Sequence, residues 1–515
     1  MKKIAYKDTK SISKSMKKQF INFLLAASLC MSSCSGFLEE EPLTQLTEED
    51  IYGSDAKIEL LLSGLYTQWR NTRQDRGALI FTLGSDEGKQ GSQQVHEVND
   101  QAALDKYNNA LSATNSTLAG QWNKRWPIVW SAAKIYKYAG SAELKAEGAF
   151  LRAALTYELA MLWGEVPIID VDQLLQERQP LTDVFKFIIA DLEYASANMP
   201  ETQSDKKFPV RNVAKALLGK VYMSAPVETG LRDYAKAVAL FDQVIPQYSL
   251  IPNYADLYNA SLDQNTSEVI YAFQFVNIYP DNNMVQHHAG SRAVADLDGN
   301  TYFGGYDLLL PTEYCFKEKS QGGVWEPGDT RKEASIRYDL TLPDGRVPRL
   351  TWTGQTDELD PHIRKFEDIR TQGKQNFWYS GGLIYYLRLS DILLSKAECL
   401  NEQGQTAAAV QLVNTTVRSR AFGGTLPPQY AWPAGMSQND FRTQILDERM
   451  RELCFEGWRR IDLIRTGKFV ELVKERNVWA RTEGTISDFH IRYPIPDSEI
   501  KQNEFIDEED QNPGY

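Results

Sequence analysis

Leucines recur at helical spacing along this chain, and this pattern restricts the fold more than any other feature. Leu151, Leu155 and Leu159 fall on one stripe of a helix, and Gly164 follows where the stripe ends. The same spacing of apolar residues recurs in two further stretches, at residues 214–221 and 389–400. The sequence therefore predicts a largely helical protein.

One pair of these stretches has the order of a paired-helix repeat. Leu218-Gly219, Tyr222, Ala237 and Phe241 follow the Leu-Gly-x-x-Tyr…Ala-x-x-x-Phe order of a tetratricopeptide repeat. Because such helix pairs do not bury their apolar faces alone, we expect further repeats beside them. An unrelated helical bundle is the alternative interpretation.

The segment from Asn277 to Gly382 differs from the rest of the chain. It is rich in Gly, Asp, Asn, Pro and aromatic residues and has little helical periodicity. Long loops in a compact protein are often functional, and the many aromatic residues argue against disorder. We therefore expect long loops and short strands inserted into a helical scaffold.

The chain begins with the pattern of a lipoprotein signal. Lys17 and Lys18 precede a short apolar run at residues 20–29, and small residues then precede Cys34. The run is shorter than the ~20 residues that cross a bilayer. We predict cleavage before Cys34 and lipidation of its thiol, which anchors the protein to a membrane. An ordinary signal peptide with an incidental cysteine is the alternative, and translation starts at Met1 or Met16.

The charge of the chain argues against nucleic-acid binding. The full sequence has a net charge of −13, and removal of residues 1–33, with seven lysines and one aspartate, takes it to −19. Affinity for nucleic acid comes mainly from Lys and Arg on phosphates.

After Cys34 only Cys315, Cys399 and Cys454 remain, too few for a disulfide framework. Cys399 and Cys454 are predicted to be small buried apolar residues.

Three glutamates with helical spacing were considered as catalytic acids. Glu448, Glu452 and Glu456 lie four residues apart and alternate with arginines such as Arg449 and Arg451. Alternation of opposite charge at this spacing is typical of a helix stabilised by ion pairs. We interpret these residues as a structural ion network that extends to Asp462 and Arg465, and not as an acid–base pair.

The sequence gives little support for a metal or a cofactor. It contains no His-Glu-x-x-His, Gly-x-Ser-x-Gly or Walker-type motif. His287 and His288 are adjacent and so make a poor chelating pair. The segment Asp296–Asn300 has alternating oxygen ligands like the start of a calcium loop, but its glycine is misplaced. We interpret it as a polar turn and predict neither cofactor nor metal.

Several blocks of sequence together resemble one known family. They are EGAFLRAALTYELAMLWGEVPII, YYLRLSDILLSKAECLNEQG, ERMRELCFEGWRRIDLIRTGKF and YPIPDSEIKQNEFIDEEDQNPGY, in this order along the chain. On these blocks the chain resembles the RagB/SusD family of surface glycan-binding lipoproteins. The resemblance implies an all-α fold, a scaffold of tetratricopeptide-like repeats with an irregular, loop-rich C-terminal insertion region. It also implies an oligosaccharide ligand and a partner, a SusC-like TonB-dependent transporter of the outer membrane.

The resemblance and the composition together predict a domain organisation. We expect a signal peptide over 1–33, a tether over 34–47, an N-terminal helical region over 48–276 and a C-terminal region over 277–515. Within the last region we expect the ligand surface at 277–382 and helices at 383–470.

Aromatic rings in polar surroundings are the candidate ligand-binding residues, because a flat apolar ring matches the C–H face of a sugar. Tyr279, Tyr302 and Tyr306 are expected to lead a platform of sugar-stacking rings. Weaker candidates come from the same region and from an N-terminal loop that resembles the family's ligand-facing segment: Phe303, Trp325, Trp352, Asp86 and Tyr107.

Three functions remain open from the sequence. The first is a non-enzymatic cell-surface binder that delivers oligosaccharides to a transporter of the outer membrane, on its extracellular side. The second is a peptide-capturing or scaffold lipoprotein of the same architecture. The third is a glycoside hydrolase, whose paired carboxylates are separated in sequence and leave no local motif.

Overall fold

The computed structural model describes residues 48–92, 99–173, 175–291, 304–338, 345, 360–371, 379–483 and 485–515. The chain divides after Gly53 into two units, and residues 54–515 form one compact unit. Among the described residues, the N-terminal unit contributes one helix, Glu48–Tyr52.

Helices dominate the larger unit, as the leucine spacing predicted. Single 3₁₀ turns join several of them, including Arg76–Phe81, Tyr254–Tyr258 and Ile369–Thr371. In chain order the α-helices are α1 (Glu48–Tyr52), α2 (Asp55–Asn71), α3 (Asn99–Lys106), α4 (Ser116–Tyr138), α5 (Ala142–Trp163), α6 (Leu181–Asn198), α7 (Arg211–Ser224), α8 (Tyr234–Val244), α9 (Val285–Ala289), α10 (Glu313–Phe316), α11 (Arg331–Ser335), α12 (Leu389–Glu402), α13 (Thr406–Val413), α14 (Ser419–Ala421), α15 (Gln438–Leu453), α16 (Arg459–Arg465), α17 (Phe469–Arg476), α18 (Val478–Glu483) and α19 (Asp497–Gln502).

The strands are short and pair two by two in antiparallel fashion. The pair β2–β6 is the longest, with Val269 opposite Arg388 and Phe273 opposite Ile384. The six strands are β1 (Gly88–Lys89), β2 (Val269–Phe273), β3 (Leu310–Pro311), β4 (Ile336–Arg337), β5 (His362–Ile363) and β6 (Ile384–Arg388), paired as β1–β3, β2–β6 and β4–β5. Most of them lie in or beside the region expected to hold loops and short strands.

Helices α4 to α8 pack each against the next, and small residues set how closely they approach. A Cβ atom on Gly219 of α7 would lie 2.4 Å from a ring carbon of Phe241 on α8. The repeat motif therefore describes a real contact, in which the glycine makes room for the ring. In the same way a Cβ on Gly148 of α5 would lie 2.9 Å from the carbonyl oxygen of Ala132 on α4.

A second helical core forms where α12, α13 and α15 meet. Leu393 and Leu394 of α12 pack with Val410 of α13 and with Phe441 and Ile445 of α15. Gly404, in the left-handed conformation at φ 76°, ends the turn after α12. The helix predicted from the apolar spacing at residues 389–400 is therefore confirmed as α12.

The predicted ion network is confirmed, but it is buried and joins distant elements. Glu452 of α15 accepts hydrogen bonds from Arg331 (2.9 Å), Arg420 (2.5 Å) and Arg388. Burial by itself would raise the pKa of Glu452, but Arg420, Arg388 and Arg331 outweigh it and hold this pKa well below the usual value.

The neighbouring carboxylate Glu448 is held in the same way. It accepts from Arg331 (2.8 Å), Arg418 (2.7 Å) and Arg451 (2.7 Å), and only the last of these lies on the same helix. The charge alternation was interpreted as support within one helix. The structure corrects this detail, because the sequence pattern does not reveal that both glutamates are fully buried and need partners from other elements.

The network also extends to the residues expected from the sequence. Asp462 accepts from Arg449 (2.7 Å) and Arg465 (2.8 Å). Cys399 and Cys454 are buried and unbridged, as predicted, and so is Cys315. Across the described ranges, no helix combines the length and the apolar character needed to cross a membrane.

Candidate functional site

A cleft of about 560 Å³ opens between the first helices of the unit and the loop-rich region. One wall comes from the segment that starts the 3₁₀ turn Arg76–Phe81 and from the N-terminal half of α4. The opposite wall comes from α9 and Tyr306. The lining residues are mostly amides, hydroxyls and small side chains: Gln74, Asp75, Arg76, Gly77, Gln101, Ser116, Thr117, Gly120, Gln121, Lys124, Met284, His287, His288 and Tyr306.

Asp75 organises the first wall. One oxygen accepts from the backbone N–H of Ala78 at 3.1 Å, which caps the 3₁₀ turn, and from Gln121 Nε2 at 3.2 Å. Lys124 donates to the other oxygen. A Cβ on Gly77 would lie 2.2 Å from Gln121 Nε2, so only glycine lets this amide approach the turn. The side chain of Gln121 is therefore held in one orientation.

Two neighbouring histidines of α9 form the opposite side. Burial and, to a smaller extent, the nearby Arg76 together lower the pKa of His287 to about 3. Burial, His287 and Arg76 likewise lower the pKa of His288 to about 3. Both imidazoles are therefore neutral near pH 7, and each offers one donor and one acceptor nitrogen.

Tyr306 places an aromatic ring at the cleft surface, with 37 % of the residue exposed. Its ring meets the ring of His287 edge to face, with centroids 4.3 Å apart, and its backbone N–H donates to the His287 carbonyl oxygen at 3.0 Å. A Cβ on Gly305 would lie 2.3 Å from that same oxygen. The glycine thus allows the chain to pass close enough to fix the tyrosine ring.

Some buried polar atoms of the cleft have no hydrogen-bond partner within the part of the chain that the structure describes. They are the side-chain oxygens of Gln74 and Gln101 and Nδ1 of His288. Buried polar atoms are normally paired, by protein or by water, because desolvation of an unpaired group is costly. The residues that carry these buried atoms line the cleft, so they are the candidates for hydrogen bonds to a ligand.

The predicted ligand residues fall into three groups. Tyr306 lines the cleft, whereas Tyr279 is exposed beside Tyr379 and is not part of the lining. Tyr279 and Tyr306, which were predicted to share one platform, therefore lie at two separate places on the surface. Outside the described residues lie Tyr302, Phe303, Trp352 and the lipidation residue Cys34.

Trp325 is corrected by the structure. Its side chain is fully buried, and its indole N–H donates to the Cys315 carbonyl oxygen at 2.5 Å. It is therefore a core residue, and it is not a ring that a sugar can reach. Sequence composition did not distinguish it from the exposed rings, because glycine-rich surroundings occur both in surface loops and where a chain folds tightly over a large side chain.

Asp86 and Tyr107 are corrected as well. Asp86 is buried and accepts from Arg459 at 2.6 and 2.7 Å and from Arg476 at 3.0 Å, so it ties its loop to α16 and α17. Tyr107 is buried and donates its hydroxyl to the Gly84 carbonyl oxygen. Both residues hold the N-terminal loop in place, and neither faces the cleft.

Most of the cleft was missed from the sequence. Its glutamines, Gln74, Gln101 and Gln121, belong to three separate elements and share no motif. His287 and His288 were noticed, but only as a poor metal chelate. Within the described part of the chain, no group of three or more His, Cys, Asp or Glu side chains gathers as a metal site. The segment Asp296–Asn300 lies outside the described residues.

Comparison with known proteins identifies the class of this protein. Residues 347–515 match the model of the SusD family. The chain is 26 % identical to SusD-like protein P25 of Formosa agariphila, over 94 % of this chain and 97 % of that one. It is 25 % identical to the starch-binding protein SusD of Bacteroides thetaiotaomicron, over 72 % of each chain. The chain is thus similar to SusD-like proteins over most of its length, and the resemblance to the RagB/SusD family seen in the sequence is confirmed.

Solved structures agree on the fold. A SusD superfamily protein from Bacteroides vulgatus superposes with a TM-score of 0.72 at 19 % identity, over 89 % of this chain and 99 % of that one. A laminarin-binding SusD-like protein gives a TM-score of 0.70 at 22 % identity, over 90 % of this chain and all of that one. The mostly helical repeat fold expected from the resemblance is confirmed.

Proposed function

We propose that this protein is a non-catalytic, cell-surface glycan-binding lipoprotein that holds an oligosaccharide in the cleft of Tyr306. One observation carries the proposal. An exposed aromatic ring, that of Tyr306, stands beside the side-chain amides of Gln74 and Gln101 and the neutral imidazole of His288, each of which has one atom without a partner among the described residues. The names of two relatives, a starch-binding SusD and a laminarin-binding SusD-like protein, support it.

The chemistry of the cleft suits a sugar. The ring of Tyr306 offers an apolar face to the C–H groups of a pyranose, and it is rigid, so little entropy is lost on binding. The oxygens of Gln74 and Gln101 accept from sugar hydroxyls, and His288 has a ring nitrogen for the same purpose. Since the imidazoles are neutral, binding does not require a charged ligand.

The carboxylate of the cleft argues for binding without hydrolysis. Asp75 already accepts from Lys124, Gln121 and the backbone of Ala78. A carboxylate that already accepts from a cation, an amide and a backbone N–H holds the wall of the cleft together. We infer that Asp75 has this structural role and is not a catalytic acid.

Anchoring and delivery complete the proposal. We infer that lipidated Cys34 attaches the protein to the outer membrane, facing outward, and that a SusC-like TonB-dependent transporter receives the ligand. Substitution Cys34→Ala is expected to release the protein from membranes or to leave the precursor unprocessed. Co-purification from gently solubilised outer membranes tests the partner, and recovery without any barrel across several detergents would argue against it.

Titration calorimetry against a panel of soluble polysaccharides, with laminarin and starch included, tests ligand binding. We expect at least one polysaccharide to bind without release of reducing sugar. For that ligand, Tyr306→Ala is expected to weaken affinity by about 1–2 kcal/mol, or roughly five- to thirtyfold. Tyr306→Phe keeps the ring and is expected to bind nearly as well as the unchanged protein.

Tyr138→Ala is a matched control, because this tyrosine is 43 % exposed at the end of α4. It is expected to leave affinity unchanged. Normal binding by Tyr306→Ala would place the site elsewhere. Binding of peptides and no glycan would favour the peptide-capturing alternative, and release of reducing sugar would favour a hydrolase.

A further inference from the structure

A second aromatic surface lies outside the cleft, and we call it the outer platform. It consists of Ile278, Tyr279 and Tyr379. Ile278 and Tyr279 are 69 % and 71 % exposed, which is unusual for large apolar side chains in this protein. The rings of Tyr279 and Tyr379 are neighbours, with centroids 5.9 Å apart and an angle of 35° between their planes.

Hydrogen bonds to a buried carboxylate hold the backbone segments that carry the outer platform. Asp368 is fully buried and accepts from Asn277 Nδ2 at 2.8 Å, from the backbone N–H of Gly381 at 2.9 Å and from Arg370 at 2.7 Å. Asn277 also donates to the Tyr379 carbonyl oxygen at 3.0 Å. One buried carboxylate thus joins the backbone segments that carry both rings.

The far side of the Tyr279 loop is fixed as well. Arg70 of α2 donates to the Gln274 carbonyl oxygen at 3.3 Å and to Asp281 at 2.7 Å. Asn283 and Ser380 pair their backbones in a short antiparallel bridge, with N–H to oxygen distances of 2.8 and 3.3 Å. A surface loop held at both ends presents its rings in one arrangement, so binding costs little ordering entropy.

The outer platform is connected to the cleft. Tyr279 lies five residues before Met284, which lines the cleft, so at most about 18 Å of extended chain separates them. Gln286 of α9 accepts from the Asp368 N–H at 3.0 Å and donates to Thr371 at 3.1 Å. The segment beneath the platform therefore packs on the helix whose histidines form one side of the cleft.

We propose that the outer platform is a second sugar-binding subsite, which contacts a distal part of a glycan chain held in the cleft. The inference rests on the proposed function. Two neighbouring tyrosine rings offer apolar faces, and the half-exposed carboxylate of Asp281 lies two residues after Tyr279, so the segment combines the two kinds of group that a sugar contacts. A stable protein interface uses about 20–30 residues on each side, many more than the few apolar side chains exposed here.

The consequence is a dependence of affinity on chain length. On this inference a trisaccharide occupies the cleft alone, whereas a long chain contacts both surfaces. Joining two weak contacts in one ligand raises the overall affinity without any new contact in the cleft. The protein therefore binds long chains more tightly than trisaccharides of the same glycan.

The test compares a polysaccharide from the panel that binds the unchanged protein with its own trisaccharide. Tyr279→Ala, combined with Tyr379→Ala, is expected to weaken binding of the long chain about tenfold and to leave the trisaccharide unchanged. Tyr306→Ala is expected to weaken both. Tyr279→Phe retains the ring and should bind the long chain normally, and Tyr138→Ala is again the control.

Each outcome decides the inference. If the double variant binds the long chain normally while Tyr306→Ala does not, the outer platform is no subsite although the proposed function stands. If the double variant binds glycan normally but no longer co-purifies with a transporter, the surface contacts protein and the inference is wrong. If the unchanged protein binds no polysaccharide, the proposed function and the inference fail together. An unchanged melting temperature confirms that the variants fold.

Discussion

In the ion network around α15, the carboxylate of Glu452 meets three arginines, whereas in the cleft the amide oxygen of Gln101 meets no partner among the described residues. Both groups are buried and polar. The carboxylate is enclosed by protein on all sides, while the amide lines an open cleft. Both regions bury polar groups, but the network offsets the cost of desolvation with ion pairs, whereas the Gln101 oxygen has no partner among the described residues.

This difference separates a structural role from a binding role. The network compensates for burial of its charges with ion pairs inside the protein, so it joins α11, α15 and strand β6. The cleft keeps unused capacity at Gln74, Gln101 and His288. Unused capacity, and not the mere presence of charge or of aromatic rings, indicates where a ligand binds.

The largest expected effect is a loss of folding stability when a charge of the ion network is removed. Glu452→Gln removes a charge that faces three buried arginines, and we expect it to destabilise the protein by about 3–5 kcal/mol. Chemical denaturation monitored by circular dichroism measures this. Glu471→Gln is the matched control, because Glu471 pairs with Lys468 at 2.7 Å on the surface, where a pair contributes about 0–1 kcal/mol. Equal effects of the two substitutions would contradict the comparison.

The next effect is on affinity, from the cleft. Gln101→Met replaces the amide with an apolar side chain of similar size. We expect the affinity for the glycan to fall about threefold to tenfold, which is the effect of losing one neutral hydrogen bond. Stability should stay within about 0.5 kcal/mol, because the lost oxygen has no partner in the described part of the protein. A large loss of stability with unchanged affinity would show that Gln101 is structural, like Glu452.

The smallest effect concerns pH. Since the pKa values of His287 and His288 are about 3, both stay neutral in the folded protein, and we expect glycan affinity to change less than about twofold between pH 5 and 8. In the unfolded chain these histidines take up protons below about pH 6.5. The contribution of these two groups to stability is therefore complete above that pH and is lost as the pH falls toward 3.

Two measurements check this prediction. Titration calorimetry at pH 5 and pH 8 measures the affinity, and a steep change between them would mean that a histidine titrates near the ligand. Nuclear magnetic resonance follows the ring signals of His287 and His288, which should not titrate above pH 5. The free energy of unfolding should meanwhile decrease from pH 7 to pH 5.

Much of the scaffold was predictable because its signals are local. The leucine stripe over α5 and the glycine that ends it lie within one stretch of chain, as do the blocks that resemble the RagB/SusD family. The contact of Gly219 with Phe241 was predictable for the same reason, because the two helices are consecutive. The charge alternation of Glu448 and Glu452 correctly indicated ion pairs, although it did not indicate which arginines complete them.

The sequence by itself determined the helical repeat scaffold and the resemblance to one family. The tertiary structure alone decided which polar and aromatic side chains are buried. It showed that Trp325, Asp86 and Tyr107, predicted as ligand-binding residues, are buried, whereas Tyr306 lies at a surface. The physical reason is that helix formation depends on neighbours within a few residues. Burial depends instead on packing between segments far apart in the chain, as in the cleft, where Gln74 and Tyr306 line one space although more than two hundred residues separate them.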